Sequence, residues 1–531
     1  MPFRVTARTI LQLGAELISS DAVAFYELIK NAFDAGSKRV TVRVVERLPF
    51  DKLAALRGEI QAAEELPPRT KAAQEAVHSV CNRITSLANR TAPDIDEYLA
   101  CVAAAKSLAS LRDLVDDAGS IEFSDSGEGM SLSDLEDVYL TIGTSSRLKT
   151  RVSRAALPTN SRPVLGEKGI GRLSAMRLGM RLQVKTTKED ESNWHLLDVN
   201  WREFAGDLDA LVESVDVHPV EGPLKEDDAE QGTRIIITAL NDGWSAEKLA
   251  QIAAAELSKL MDPFSNRTQF PIAVYYNKTR LKIPAFDCLL FEHAHATVTA
   301  SLSLEANSKP VVRGQVNYLL ERKQKTFVIE SANLKSLANV ESLDVLRTLG
   351  PFTMEAYWYN RRILEEITGI GDREHVRELI RAWSGGLMLF RDGFRVHPYG
   401  GPNDDWLDLD RGALAAPGYK VNRAQLIGKV DITQADNPRL IDQTNREGLR
   451  DNKETAALRT ILLHILVGQL RRFLDDVDKT NRKPVTFTEL EGRVEAEEQT
   501  LNRTIERLRE IAAEFGDIDI GPIEDTLRQS I

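Results

Sequence analysis

The stretch ISSDAVAFYELIKNAFDAGSKRV, residues 18–40, limits what this chain can fold into more than any other. A helix here starts at Ser19, Ser20 or Asp21, residue types that cap the free amides of a first turn, and stops at Gly36. At ~3.6 residues per turn, Glu27, Asn31 and Asp34 fall along one edge, while Leu28, Ile29, Ala32, Phe33 and Ala35 fill much of the remainder. A helix this apolar faces inward. An edge of two acids and an amide therefore meets either water or chemistry.

The surrounding sequence alternates between strand and helix signals. RVTVRVVERL has the period of a strand. Residues 51–115, rich in Ala, Glu, Lys and Leu and broken at Pro67-Pro68, predict a helical insertion. Strand character returns at SIEFSDSGEGM. Residues 141–163 are polar and have no apolar period, as expected of a loop. VLGEKGIGRLSAMRLG is a glycine-rich turn running into a helix, and RLQVKTTKED, WHLLDVNW and GTRIIITAL predict further strands. Residues 246–262 predict an amphipathic helix ended by Pro263. Residues 264–450 predict a second mixed α/β region, with strands at PIAVYYN, ATVTASLSLE and PFTMEAYWYN. GLMLFRDGFRVHPYG has the pattern of a hairpin, and Tyr399 and Trp406 are expected in the core. Residues 453–475 predict a long helix, and 486–515 a coiled coil or a packed terminal helix. At ~150 residues per domain, 531 residues suggest about three, here expected at 1–245, 246–452 and 453–531.

Composition narrows the class. The net charge of −12 argues against wholesale coating of nucleic acid and leaves room for a local basic face. Cys81, Cys101 and Cys288 are far apart and form no CxxC or Cys/His cluster, so neither a disulfide framework nor a zinc site is expected. No apolar run reaches the ~18 residues needed to span a bilayer, and MPFRVTARTI lacks the apolar core of a signal peptide. The expectation is a soluble cytoplasmic protein without membrane contact.

Four polar islands stand out. They are Glu27-xxx-Asn31-xx-Asp34, DSGEGM from Asp125 to Met130, GEKGIGR from Gly166 to Arg172, and GTRIIIT from Gly232 to Thr238. Each is weak alone, since an acid followed by glycines is usually a turn and a glycine-rich stretch before a helix is a generic anion nest. In this order they resemble the nucleotide-binding motifs of the GHKL superfamily, the Bergerat-fold ATPases. That group includes gyrase-type topoisomerases, the ninety-kilodalton heat-shock chaperone, histidine kinases and MutL. The resemblance covers residues 8–245 and implies an α/β (α+β) chain. Its first part would be an ATP-binding sandwich, a mixed sheet with helices on one face.

The resemblance also implies roles. Glu27 would polarise the attacking water, and Asn31 would lend a side-chain oxygen to magnesium. Asp34 would support the site through water. Asp125 would accept from the adenine amine, with Thr233 helping through water, and Gly127, Gly129 and Met130 would complete the base pocket. Gly166, Gly169, Ile170 and Gly171 would form the phosphate nest, with Lys168 adding charge. Residues 141–165 correspond to an ATP lid, in which Ser145, Ser146 and Arg147 are candidate phosphate contacts. No GxxxxGK[ST] stretch exists, which excludes a P-loop.

The second region points towards members with a transducer domain, because no phosphoacceptor His box is present. NPRLIDQTNREGL, residues 437–449, resembles the chaperone loop whose arginine reaches the γ-phosphate, which makes Arg446 the candidate sensor, near Gln443. The whole architecture resembles bacterial relatives of MORC proteins. The resemblance thus implies a slow, ATP- and Mg2+-dependent clamp that forms a homodimer, acts on a DNA or protein client, and works with a separate effector in genome defence, such as antiviral defence, or in DNA repair. The alternatives are a histidine-kinase-like protein kinase and a module that binds ATP without cleaving it.

Overall fold

Val40, Val42 and Val44 alternate with Thr41 and Arg43, and this pattern becomes strand β1 (Val40–Glu46), with the three valines almost fully buried. The structure, a computed structural model, describes residues 5–67, 70–141, 173–206, 210–264, 271–415, 419–443, 448–481 and 499–512, together with positions 521 and 523. It divides into two units, Met1–Leu470 and Arg471–Ile531.

In the first unit β1 is joined by β2 (Gly119–Asp125), β3 (Gly179–Thr187), β4 (Asn193–Asn200), β5 (Val220–Leu224), β6 (Gly232–Leu240), β7 (Ile272–Tyr276) and β8 (Thr279–Leu281). Among the described residues they form an eight-stranded sheet in the order β5-β4-β3-β6-β2-β1-β7-β8. All neighbours are antiparallel except β1 and β7, so the sheet is mixed. Strand β7 lies past the boundary expected at residue 245. A buried strand needs partners along both edges for its backbone N–H and C=O groups, and β1 finds its second set in Val274 and its neighbours. The first sheet therefore draws on residues as far as Leu281.

Helices α1 (Ala7–Leu17) and α2 (Asp21–Asp34) share a core with this sheet. Phe25 sits 5.0 Å edge-on to Phe123 and is stacked 5.0 Å from Trp244. Phe25 and Ile29 are 0 % exposed and Leu28 only 2 %. At about 1.5–3 kcal/mol per buried apolar side chain, these three anchor α2 against the sheet firmly enough to hold polar groups elsewhere on the same helix.

The expected insertion is helical: α3 (Phe50–Glu64), α4 (Lys71–Leu87), α5 (Ile95–Ala104) and α6 (Leu108–Asp116). It has a core of its own, built on Leu53, Leu56, Ile60, Ile84, Val102 and Leu111. The Arg47 guanidinium holds Asp94 and donates to the Asp117 carbonyl at 2.8 Å, which ties the insertion to the end of β1. Residues 246–262 are helical only from Ala246 to Ala255, followed by a 3-10 turn at Leu257–Lys259. At the break, the Glu256 carboxylate is taken up by Arg395.

A second sheet follows, made of β9 (Ala296–Glu305), β10 (Lys309–Tyr318), β11 (Lys323–Ile329), β12 (Phe352–Trp358), β13 (Gly386–Arg391), β14 (Phe394–Arg395) and β15 (Leu426–Ile432), in the order β11-β10-β9-β12-β15-β13-β14. Strands β13 and β14 form the expected hairpin, and Tyr399 and Trp406 are buried. The helix at Lys453–Leu463 packs with the helices at Ser331–Leu337 and Leu343–Leu349, burying Ala457, Leu458, Ile461 and Leu462 completely. It thus belongs with the second sheet rather than with a separate terminal region starting at 453. In the second unit, Arg472–Asn481 and residues 499–512 are helical. The remainder of 486–515 lies outside the described residues.

Candidate nucleotide site

Of the three candidate caps of α2, Ser20 does the work: its hydroxyl accepts from the Val23 N–H at 3.3 Å. Asp21, in the first turn, favours the positive end of the helix and binds Lys248 at 2.8 Å and Arg177 at 3.0 Å. At the other end Gly36 takes φ +75°. The polar edge between them is not a solvated face. Glu27 is 3 % exposed, and Asn31 and Asp34 are half-buried. Lys30, one turn beyond Glu27, is buried as well, its ammonium 5.8 Å from the Tyr26 ring centre. Sequence reading passed over Lys30, which looks like any solvated helix lysine until its burial is known.

The first two islands are stapled together by backbone. The Ala35 carbonyl at the end of α2 accepts from the Glu128 N–H at 2.8 Å, and the fully buried Ser37 hydroxyl accepts from the Ser126 N–H at 3.0 Å. This close crossing explains Gly127. A Cβ there would lie 2.6 Å from the Ala35 carbonyl oxygen and 2.9 Å from Asp125 Oδ1. At Gly129, with φ +68°, a Cβ would lie 1.8 Å from the Thr187 carbonyl oxygen. Both glycines are thus demanded by the protein's own backbone, before any base arrives.

The second and fourth islands meet across the sheet, where Asp125 stands directly opposite Thr233. Asp125 Oδ1 accepts from the Gly127 N–H at 2.7 Å. Burial raises the Asp125 carboxyl from its ordinary value to about 6, against the opposing pull of the Gly127 and Thr233 N–H groups. Thr186, which sequence reading missed, completes the cluster. It is 0 % exposed, its hydroxyl lies 3.0 Å from the Thr233 hydroxyl and 3.0 Å from the Gly232 carbonyl, and it accepts from the Met130 N–H at 2.9 Å.

Proton counting fixes the direction of these bonds. A carbonyl only accepts, so the single Thr186 proton goes to Gly232. The Thr233 proton then goes to Thr186, and Thr233 Oγ1 is left with acceptor capacity alone. An ionised Asp125 and Thr233 therefore present acceptors on the same side of the sheet. That pair suits an amine with two N–H donors and repels a carbonyl.

Asp125, Gly127, Gly129, Met130 and Thr233 are thus gathered beside the end of α2, the helix along which Glu27, Asn31 and Asp34 are ranged. Gly166, Lys168, Gly169, Ile170, Gly171, Ser145, Ser146, Arg147 and Arg446 lie outside the described residues, as does the lid segment apart from Thr141. The helix that follows the third island, Ser174–Leu178, packs against α2 and buries Ser174, Ala175, Met176 and Leu178.

Residues 107–233 match the family of histidine kinase-, DNA gyrase B- and HSP90-like ATPases. No curated protein matches the chain. The matched segment is similar to GHKL-type ATPases, and the mixed α/β architecture around it is consistent with a Bergerat-fold ATPase domain. Such a domain supports ATP binding and hydrolysis. The match takes in the second, third and fourth islands up to Thr233, but not α2. Its Glu27 and Asn31 join the site through the staples at Ala35 and Ser37. No described helix is long and apolar enough to cross a membrane.

Proposed function

We propose that this chain is a Mg2+-dependent ATPase that works as a clamp, with Glu27 activating water and Asp125 selecting adenine. The observation that supports the reading is the backbone staple that joins the end of the helix carrying Glu27 and Asn31 to the DSGEGM turn, beside the paired Asp125 and Thr233. Two acceptors at the base site favour adenine over guanine. Asn31 offers an uncharged oxygen, the donor type a hard cation takes alongside phosphate and water. Magnesium, when bound, would offset phosphate charge, and the chain's part is to orient it through Asn31 and to hold Glu27 within reach of a water. Lys168 and the glycines from Gly166 to Gly171 are proposed to cradle the phosphates, and Arg446 to contact the γ-phosphate, on the strength of the sequence.

The clamp reading rests on the resemblance and on the attachment of α2 to the second sheet, where Phe33 lies 4.3 Å from Phe394. In this reading ATP brings two copies together, and the second sheet and terminal helices engage a client, DNA or protein, with an effector outside this chain. Glu27→Gln tests the chemistry. It is expected to bind ATP with near-normal affinity while phosphate release falls at least about 100-fold, the usual scale for a lost general base. Normal turnover in that variant would remove Glu27 from its role.

A further inference from the structure

The helix that carries Glu27 has a second attachment, one that nucleotide chemistry does not require. Tyr26, the residue before Glu27, donates its hydroxyl to the backbone carbonyl of Arg395 at 2.6 Å, and both residues are buried. Arg395 ends the β13–β14 hairpin of the second sheet. The hairpin is itself held hard against the region between the sheets. The Arg395 N–H donates to the Leu260 carbonyl at 2.9 Å, and the Asp262 N–H donates to the Gly393 carbonyl at 3.1 Å. The Arg395 guanidinium donates to the carbonyls of Tyr399 at 3.0 Å and Pro398 at 3.1 Å and to the Glu256 carboxylate at 3.1 Å. A buried guanidinium with each of its three nitrogens donating to a fixed partner leaves its own backbone little freedom.

On its far side the hairpin, with Tyr399 just after it, holds residues on either side of positions 444–447. The Arg391 guanidinium pairs with Asp442 and donates to the Leu440 carbonyl. The Tyr399 hydroxyl accepts from the Leu449 N–H at 2.8 Å, and the Gln443 N–H donates to the Gly448 carbonyl at 2.8 Å. A run of buried, directional contacts therefore leads from Tyr26 through Arg395 and Tyr399 to Leu449.

We infer that Tyr26 is a positioning residue for ATP hydrolysis: its hydroxyl locks the helix of Glu27 to a hairpin that also holds Leu440 and Asp442 and, through Tyr399, Leu449. This rests on the ATPase reading above. Tyr26 touches no nucleotide in this scheme, so it acts on turnover and not on affinity. A misplacement of about 1 Å at a reacting group can cost up to ~100-fold in rate, and a single lost hydroxyl should cost part of that.

The test uses full-length Tyr26→Phe, Arg391→Lys and the double variant, assayed well below their unfolding temperatures. Titration with Mg-ATP, steady-state phosphate release and amide hydrogen exchange are measured for each. Tyr26→Phe should bind ATP within about twofold of wild type and turn over five- to tenfold more slowly, with faster exchange at residues 440–443 and 448–450. Arg391→Lys should slow turnover similarly and speed exchange in α2. The double variant should fall little further than the slower single one, because both changes cut the same strut. Unchanged turnover in Tyr26→Phe, or a double effect equal to the product of the singles, overturns the inference. Should wild type bind ATP and release no phosphate, the ATPase reading fails. The strut is then judged by exchange, and unaltered exchange at 440–450 in Tyr26→Phe sinks it independently.

Discussion

Asp125 is a carboxylate that the folded protein holds at a cost. Its pKa lies at about 6, raised from an ordinary 3.8 by burial. The folded chain therefore binds this proton more tightly than the unfolded chain does. The corresponding stability is present in acid and is lost as pH rises from about 4 to about 6. At 1.36 kcal/mol per pKa unit the loss is on the order of 3 kcal/mol. Asp125→Asn removes the ionisation, so the nucleotide-free variant should unfold at a higher temperature than wild type at pH 7.5, and the gap should shrink towards pH 4.5. The same variant should lose ATP binding, since an amide places a donor or a weaker acceptor where the adenine amine needs an anion. Wild-type ATP affinity should likewise weaken as pH falls through 6. Calorimetric unfolding and ATP titration across pH 4.5–8 read both arms, and a variant less stable than wild type at neutral pH would contradict the assignment. Stability given up at a buried group that binds ligand is a familiar exchange at functional sites.

At the scale of elements, identical substitutions should have opposite signs. Gly129 sits at φ +68°, and a Cβ would fall 1.8 Å from the Thr187 carbonyl oxygen, so Gly129→Ala must push the DSGEGM turn away from β3. The expected cost is about 2 kcal/mol or more, with ATP binding lost as Met130 leaves Thr186. Gly58, inside α3, has nothing within 4 Å of an added Cβ, and Gly58→Ala should stabilise by about 0.5–1 kcal/mol. Thermal unfolding of the two variants checks the contrast. The same elements show what the sequence made legible. Period and capping located α2, β1, β2 and β6, because those signals are local. The partner of β7 was not legible: PIAVYYN announces a strand but not which edge it joins, and its pairing with β1 spans more than 200 residues of chain. Thr186 and Ser37 were missed for a related reason. A threonine at a strand end and a serine after a helix stop read as ordinary turn residues. Only the fold shows that their hydroxyls turn inward, to Thr233 in one case and to the Ser126 N–H in the other.

For the whole molecule, the clamp reading turns on whether nucleotide joins two copies. Each chain carries a net charge of −12, so two copies repel at long range, and any contact between them must outweigh that repulsion. Exposed charges are screened over about 10 Å at 0.1 M salt and about 30 Å at 0.01 M. Nucleotide-driven association should therefore be stronger at 150 mM salt than at 10 mM, the reverse of an interface steered by opposite charges. Light scattering with a non-hydrolysable ATP analogue and magnesium reads this directly. Wild type should double in mass at 150 mM salt and do so less completely at 10 mM, whereas Asp125→Asn should keep one mass throughout. A mass that ignores saturating nucleotide at both salts would leave an ATPase without the clamp. Association stronger at low salt would mean that local patches of opposite sign, and not the net charge, govern how the copies meet.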